Sequence, residues 1–178
     1  MGSKRIGLAR MQALIENLKR ELNLDGTSLK NGVMLGKRFQ ENVTTDAIAP
    51  KLTDSGTLYL MNRAGGIEIT LPTFTEADAG WFIDIYVQTS FSGTFQINSG
   101  TATQLFMGGV DIVEAGSDTD ANRVFFAPDE SNDDQLVADA NTKGRLKGGL
   151  IRIESVSATR TLITGRLLGA GGAVTPFI

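Results

Sequence analysis

Short runs of alternating apolar and polar residues, separated by glycine-rich turns, dominate the sequence from residue 52 onward. The alternation is clearest where Ile83, Ile85 and Val87 interleave with Phe82, Asp84 and Tyr86. A period of two places successive side chains on opposite faces of a strand, whereas a helix requires a period of about 3.6. Runs of this kind predict strands over residues 57–62, 66–71, 81–89, 93–97, 123–127, 150–156 and 160–168.

Glycine pairs separate these runs, and we interpret Gly108-Gly109 and Gly148-Gly149 as turns between strands. No helical pattern intervenes between the predicted strands. The sequence therefore predicts a mainly β fold, an antiparallel β-sandwich or barrel over residues 51–178. The run after Gly80 is apolar on both faces, which predicts a central position in a sheet.

Residues 1–24 have a different period and predict an amphipathic N-terminal α-helix. Its apolar seam has residues spaced three and four apart, as in a heptad pattern, and we predict these as interface residues: Leu8, Met11, Ile15, Leu18 and Leu22. A helix of about 20 residues is marginal alone in water, so the seam must pack on something. Its own domain, a self-associating bundle and a second protein all remain open as the partner.

Residues 25–50 show no sustained period and mix glycines with single large apolar residues such as Leu35 and Phe39. A stretch of this length without regular structure is unusual inside a compact domain. We therefore predict an extended arm or linker that runs across a partner or a neighbouring subunit.

Charge is distributed unevenly along this chain of 178 residues, whose net charge is −3. Residues 1–38 and 141–178 each carry +5, whereas residues 39–110 carry −5 and residues 111–140 carry −8. Such asymmetry indicates either oriented contacts with a charged surface or solvated faces. Nucleic acid is a poor fit, because the basic residues are not interleaved with aromatic residues that stack on bases.

The chain contains no Cys and no His. This composition excludes disulfides, thiolate nucleophiles, Cys/His zinc sites and Ser-His-Asp triads. No apolar run approaches the ~20 residues needed to cross a bilayer, and the N-terminus has charges in place of a leader's apolar stretch. We therefore expect a protein made in the cytoplasm, without membrane contact.

The acidic residues offer weak candidates for metal binding or catalysis. Asp118, Asp120 and Asn122 have the spacing of the first ligands of a calcium loop, with Asp129 at the twelfth position. Arg123 stands where that loop requires glycine, so a solvated acidic loop is favoured and no metal site is predicted. The strand carboxylates Glu68, Asp84 and Glu154 form no pair that the spacing selects, so no enzyme and no cofactor is predicted.

Several segments carry a resemblance to a known family. The start, residues 3–22, resembles the opening of structural proteins from marine tailed phages, including cyanophages. The β portion is similar to phage capsid decoration proteins in residues 54–57 (Asp-Ser-Gly-Thr), 66–72 (Gly-Ile-Glu-Ile-Thr-Leu-Pro), 79–82 (Ala-Gly-Trp-Phe), 147–151 (Lys-Gly-Gly-Leu-Ile) and 175–177 (Thr-Pro-Phe). Residues 158–162 depart from the family, whose members often have a tryptophan there.

This resemblance implies a structural virion protein with a cement role. Decoration proteins sit on the outer surface of the phage head, commonly as trimers, and bridge neighbouring subunits of the major capsid protein. The implied partners are thus the major capsid protein and further copies of the chain, as a homotrimer. A trimeric tail, fibre or baseplate component is an alternative reading, and a carbohydrate-binding β-sandwich module is another.

Overall fold

The computed structural model describes residues 38–115 and 123–178, together with Gln12 and two short strands near the N-terminus. Strands make up 49% of the structure, and there are no long helices among the described residues. The mainly β class predicted from the sequence is confirmed. None of the described helices is both long and apolar enough to span a membrane.

The strands, in chain order, are β1 (Ser28–Lys30), β2 (Val33–Leu35), β3 (Gln40–Val43), β4 (Ala47–Ile48), β5 (Leu58–Met61), β6 (Ile67–Thr70), β7 (Phe82–Val87), β8 (Phe95–Asn98), β9 (Leu105–Glu114), β10 (Arg123–Phe126), β11 (Gln135–Ala138), β12 (Leu146–Ser157) and β13 (Arg160–Gly169). Three short 3₁₀ helices span Leu52–Asp54, Glu76–Asp78 and Asn141–Lys143. Strands β1 and β2 pair with each other in the unit Met1–Lys37. The other strands belong to the unit Arg38–Ile178.

The larger unit contains two sheets. A seven-stranded sheet has the order β10-β9-β13-β12-β7-β5-β3, and a four-stranded sheet has the order β11-β8-β6-β4. Strand β7 lies between β12 and β5, in agreement with the central position predicted from its apolar faces. Strands β1 to β4 all fall within residues 25–50, the segment that the sequence predicts as an extended arm without regular structure, and β3 and β4 pair within the two sheets.

The sheets are mixed, so the prediction of a purely antiparallel fold is wrong. From β3 to β8 the chain alternates between the two sheets, so strands adjacent in one sheet are two apart in the chain. They therefore run in the same direction: β3, β5 and β7 are parallel, and so are β4, β6 and β8. The return crossing that parallel strands need, commonly supplied by a helix, here includes a strand of the other sheet.

Two glycine pairs lie inside strands, so their interpretation as turns is also wrong. Gly108 and Gly109 lie in β9, and Gly148 and Gly149 lie in β12 at a shift of register between Leu146 and Leu150. Gly109 has φ +149°, and a Cβ there would lie 2.4 Å from the carbonyl oxygen of Phe126 on β10. Glycine inside a strand commonly marks such a close approach of neighbouring backbone.

Side chains from both sheets contribute to one hydrophobic core. Ile83 and Ile85 of β7 and Ile69 and Ile97 of the smaller sheet are fully buried. Beside them Trp81 packs on Phe74 with 5.0 Å between ring centroids. Because the inward side chains of the seven-stranded sheet fill this core, its other face is left for charged and exposed residues.

Candidate interaction surface

The outer face of the seven-stranded sheet, opposite the core, carries arginines in ion pairs together with exposed apolar side chains. Its orientation follows from the alternation in β7, where Ile83, Ile85 and Val87 are buried while Tyr86 is exposed. The strand register then aligns outward residues across the sheet in two rows. One row runs Asp84, Arg152, Thr164, and the next runs Tyr86, Leu150, Arg166, Asp111, Phe125.

Asp84 is held between two guanidinium groups in the first row. Its carboxylate accepts hydrogen bonds from Arg152 at 2.8 and 3.0 Å, and Arg38 donates to it from the segment that leads into β3. Arg152 also stacks over Phe82, with 4.7 Å from the guanidinium carbon to the ring centroid. Bidentate pairing and stacking both restrict the rotamers of Arg152, so this group is preorganised.

The environment of Asp84 acts on its pKa in two opposite ways. Burial of the carboxyl group raises the pKa, but hydrogen bonds and charge from Arg152 and Arg38 together outweigh it, so the pKa lies below its usual value. Asp84 therefore stays ionised near neutral pH. With two arginines on one carboxylate, this cluster has a net positive charge.

A second cluster of the same kind lies toward the β10 edge. Arg123 forms an ion pair with Asp111, and Arg166 lies next to Asp111 in the register. The hydrogen bond from Arg123 holds the pKa of Asp111 below its usual value, and the charge of Arg166 acts in the same direction. Arg166 forms no ion pair within the described part of the chain.

The carboxylates of both clusters are covered while the guanidinium groups are exposed. The side chains of Asp84 and Asp111 are 7% and 16% exposed, against 37%, 49% and 60% for Arg38, Arg152 and Arg123. Arg166 is exposed as well. We call these four residues, Arg38, Arg123, Arg152 and Arg166, the arginine face. The four guanidinium groups outnumber the carboxylates of Asp84, Asp111 and Glu154 on this side of the sheet, so the face has a net positive charge although the protein as a whole is acidic.

A shallow groove runs across the arginine face along β12 and β13. One part, of about 500 Å³, is lined by Asp111, Gly148, Leu150, Gly165 and Arg166. An adjoining part of about 310 Å³ shares Leu150 and Gly165 and extends to Asp84 and Arg152. Leu150 is 50% exposed. The groove thus combines an apolar floor with guanidinium groups on its walls.

Gly165 keeps the floor of this groove low. A Cβ at this position would lie 2.2 Å from the carbonyl oxygen of Leu150, and the residue has φ +145°. A residue with a side chain would therefore have a strained backbone angle here and would clash with the carbonyl group of Leu150. The groove is a consequence of this close pairing between β12 and β13.

The predicted interface residues Leu8, Met11, Ile15, Leu18 and Leu22 lie outside the described residues, as does the predicted N-terminal helix apart from Gln12. The same holds for Asp118, Asp120 and Asn122 of the calcium-like pattern. Asp129 is described, and its carboxylate accepts hydrogen bonds from the backbone and hydroxyl of Ser131. These bonds lower its pKa and tie the carboxylate to its own turn.

The three strand carboxylates are not gathered into one site. Asp84 and Glu154 lie on the seven-stranded sheet, whereas Glu68 lies on β6 of the other sheet and accepts a hydrogen bond from Asn98 at 2.7 Å. No group of three or more acidic residues that suits a metal ion occurs in the described ranges.

Sequence reasoning did not identify the arginine face. Its arginines are at positions 38, 123, 152 and 166, so each is separated from the next one along the chain by 14 to 85 positions. The available signal was the alternation of Ile151 and Ile153 with Arg152 and Glu154, which places the arginine on the face away from the core. The pairing of β12 with β7 and β13, which brings the clusters together, is a long-range property.

Comparison of the chain with family models, with curated proteins and with solved structures found no significant match.

Proposed function

We propose that this chain is a structural virion protein, a capsid decoration or cement protein on the outer surface of a tailed-phage head. In this proposal the two sheets pack as a β-sandwich, three copies form a homotrimer, and the assembly bridges neighbouring subunits of the major capsid protein. The family resemblance of residues 3–22 and of the β-strand motifs supports this assignment.

The observation that carries the proposal is the broad, exposed outer face of the seven-stranded sheet. It displays apolar side chains, Tyr86, Leu150 and Phe125, among the exposed guanidinium groups of the arginine face. Aromatic residues and arginine are enriched in protein–protein interfaces, where they supply most of the binding energy. An open face of this composition suits contact with other protein subunits.

The N-terminal residues have a separate part in the proposal. The seam of Leu8, Met11, Ile15, Leu18 and Leu22 gathers copies or docks on the capsid. Of the predicted arm over residues 25–50, the part that precedes β3 reaches toward capsid subunits, because β3 and β4 pair within the two sheets. Many weak contacts repeated over a lattice raise the effective affinity through multivalency.

A binding assay with heads that lack this protein tests the proposal. We expect wild-type protein to saturate the heads, and a variant without residues 1–24 to bind at least about tenfold more weakly. Within the seam, Leu18→Asp should weaken binding, whereas its neighbour Asn17→Asp, with the same charge change on the polar side, should not. Occupancy is measured by sedimentation of the heads and quantification of the bound protein.

Two outcomes count against the proposal. Undiminished occupancy of the deletion variant would remove the N-terminal segment from the binding mechanism. Labelled protein that decorates tails and not heads in electron micrographs would favour a fibre or baseplate component.

A further inference from the structure

We infer that the arginine face receives an acidic loop from a second copy of the same chain. The loop consists of residues 128–134, which connect β10 to β11 and contain Asp129, Glu130, Asp133 and Asp134. This inference rests on the proposed function, since it names the contact by which neighbouring copies associate.

The loop is a structured turn that presents negative charge to solvent. Asp129 accepts hydrogen bonds from Ser131, and the backbone N–H of Asp129 donates to Asp133 at 2.6 Å. Glu130 is exposed, and only its backbone carbonyl is engaged, by Arg160. A turn held in this way loses little conformational entropy when it binds.

Each of the two surfaces contains charged groups that have no ion-pair partner within the described residues. Ion pairs in the described parts of the chain are limited to Arg38–Asp84, Arg152–Asp84, Arg123–Asp111 and Lys143–Asp139. None of the four loop carboxylates has a cationic partner there, and neither does Arg166. One copy thus offers carboxylates, and the groove on another offers the exposed guanidinium group of Arg166, which has no ion-pair partner in the described chain.

The proposed contact joins two different surfaces of the protein, so it is heterologous. Such contacts close into a ring when the rotation between copies permits, and extend into filaments when it does not. A closed ring of three copies is compatible with the homotrimer proposed above. The contact does not require residues 1–24, so it can be tested separately from the helical seam.

Sedimentation equilibrium of the full chain tests the inference through paired charge reversals. We expect Arg166→Glu and Glu130→Lys each to weaken self-association at least about tenfold, because each places like charges in contact. The double variant has the wild-type net charge and should recover most of the affinity. Raising the salt concentration from about 0.1 M to about 1 M shortens the screening length from about 10 Å to about 3 Å, so it should weaken the wild-type complex.

A control variant, Lys51→Glu, changes the net charge as Arg166→Glu does at an exposed position outside the arginine face. It should leave association unchanged, and circular dichroism should show that all variants are folded. A monomeric wild-type protein, or association that resists both single reversals, would overturn the inference. So would a loss in Arg166→Glu that the double variant does not reverse, because another acidic partner would then occupy the groove. A monomeric wild-type protein would also count against the proposed homotrimer. The other outcomes leave the head-binding assay with residues 1–24 removed unaffected, so the two proposals can fail separately.

Discussion

Asp84 is a carboxylate on β7, a strand whose inward residues Ile83, Ile85 and Val87 belong to the core, and its ionisation depends on two arginines that are distant in the chain. Arg38 precedes β3, and Arg152 lies on β12. The strand pairings bring both to one carboxylate that is only 7% exposed. A charge this well covered is tolerated because it is paired and hydrogen-bonded.

Replacing Asp84 tests this arrangement. We expect Asp84→Asn to lower the free energy of unfolding by about 1–3 kcal/mol at neutral pH, since two guanidinium groups lose their anion. The pKa of Asp84 is lower in the folded protein than in the unfolded chain. Its contribution is therefore fully present above the unfolded value of about 3.9 and is lost as the pH falls through the folded pKa.

Urea unfolding across a range of pH measures the effect. The stability difference between wild type and Asp84→Asn should shrink below about pH 4. Asp139→Asn is the matched control, because Asp139 pairs with Lys143 at the surface with 48% of its side chain exposed. It should change stability by less than about 1 kcal/mol. A constant difference between wild type and Asp84→Asn at every pH would contradict the assigned role of the charge.

Strand β9 was not predicted from the sequence, because the glycine pair inside it resembles a turn signal. Gly108 and Gly109 lie near its middle, where a pair of glycines is also typical of a turn. The neighbouring strands decide between the two readings: β13 pairs along the whole length of β9 in parallel, and β10 pairs on its other side. The glycines permit this close packing, so tertiary contacts explain a residue choice that is ambiguous locally.

Adding a methyl group within β9 measures that requirement. Gly109→Ala should destabilise the protein by about 1–3 kcal/mol, because the backbone angle is strained and the Cβ meets the Phe126 carbonyl oxygen. Gly172→Ala is the control, since a Cβ there has no neighbour within 4 Å and the residue has no positive φ. It should change stability by no more than about 0.5 kcal/mol. Equal effects of the two substitutions in thermal unfolding would argue against the packing of β9 described above.

At the scale of the whole molecule, the two sheets contribute to one core, and from β3 to β8 the strands alternate between them along the chain. Because buried side chains of both sheets belong to one hydrophobic cluster, the burial of each sheet's apolar residues depends on the other sheet. The unit Arg38–Ile178 is therefore expected to unfold in a single cooperative transition.

Truncation of one core residue in each sheet tests this cooperativity. Ile85→Ala in β7 and Ile97→Ala in β8 should each cost about 2–5 kcal/mol, whereas Val156→Ala at a position 45% exposed should cost much less. Fluorescence of Trp81, the single tryptophan, and far-ultraviolet circular dichroism should report coincident transitions in every variant. Separate transitions, with each substitution shifting only one of them, would show that the sheets fold independently.

Only part of the candidate surface could be predicted from the sequence. The period of two in residues 82–87 and 150–154 placed Asp84 and Arg152 on outward positions. Nothing local indicated that these two residues are neighbours, or that Arg38 reaches the same carboxylate. Ion-pair clusters depend on strand order and register, which are set by contacts between residues far apart in the chain.

The sequence by itself determined the mainly β class and the positions of seven of the thirteen described strands, β5 to β8, β10, β12 and β13, because side-chain alternation is a local property. Only the tertiary structure decided that strands next to each other in a sheet are often parallel, that glycine pairs lie inside β9 and β12, and that four arginines share one face. These features depend on strand order and register. Contacts between residues far apart in the chain set both of them, and the local pattern of apolar and polar residues does not encode such contacts.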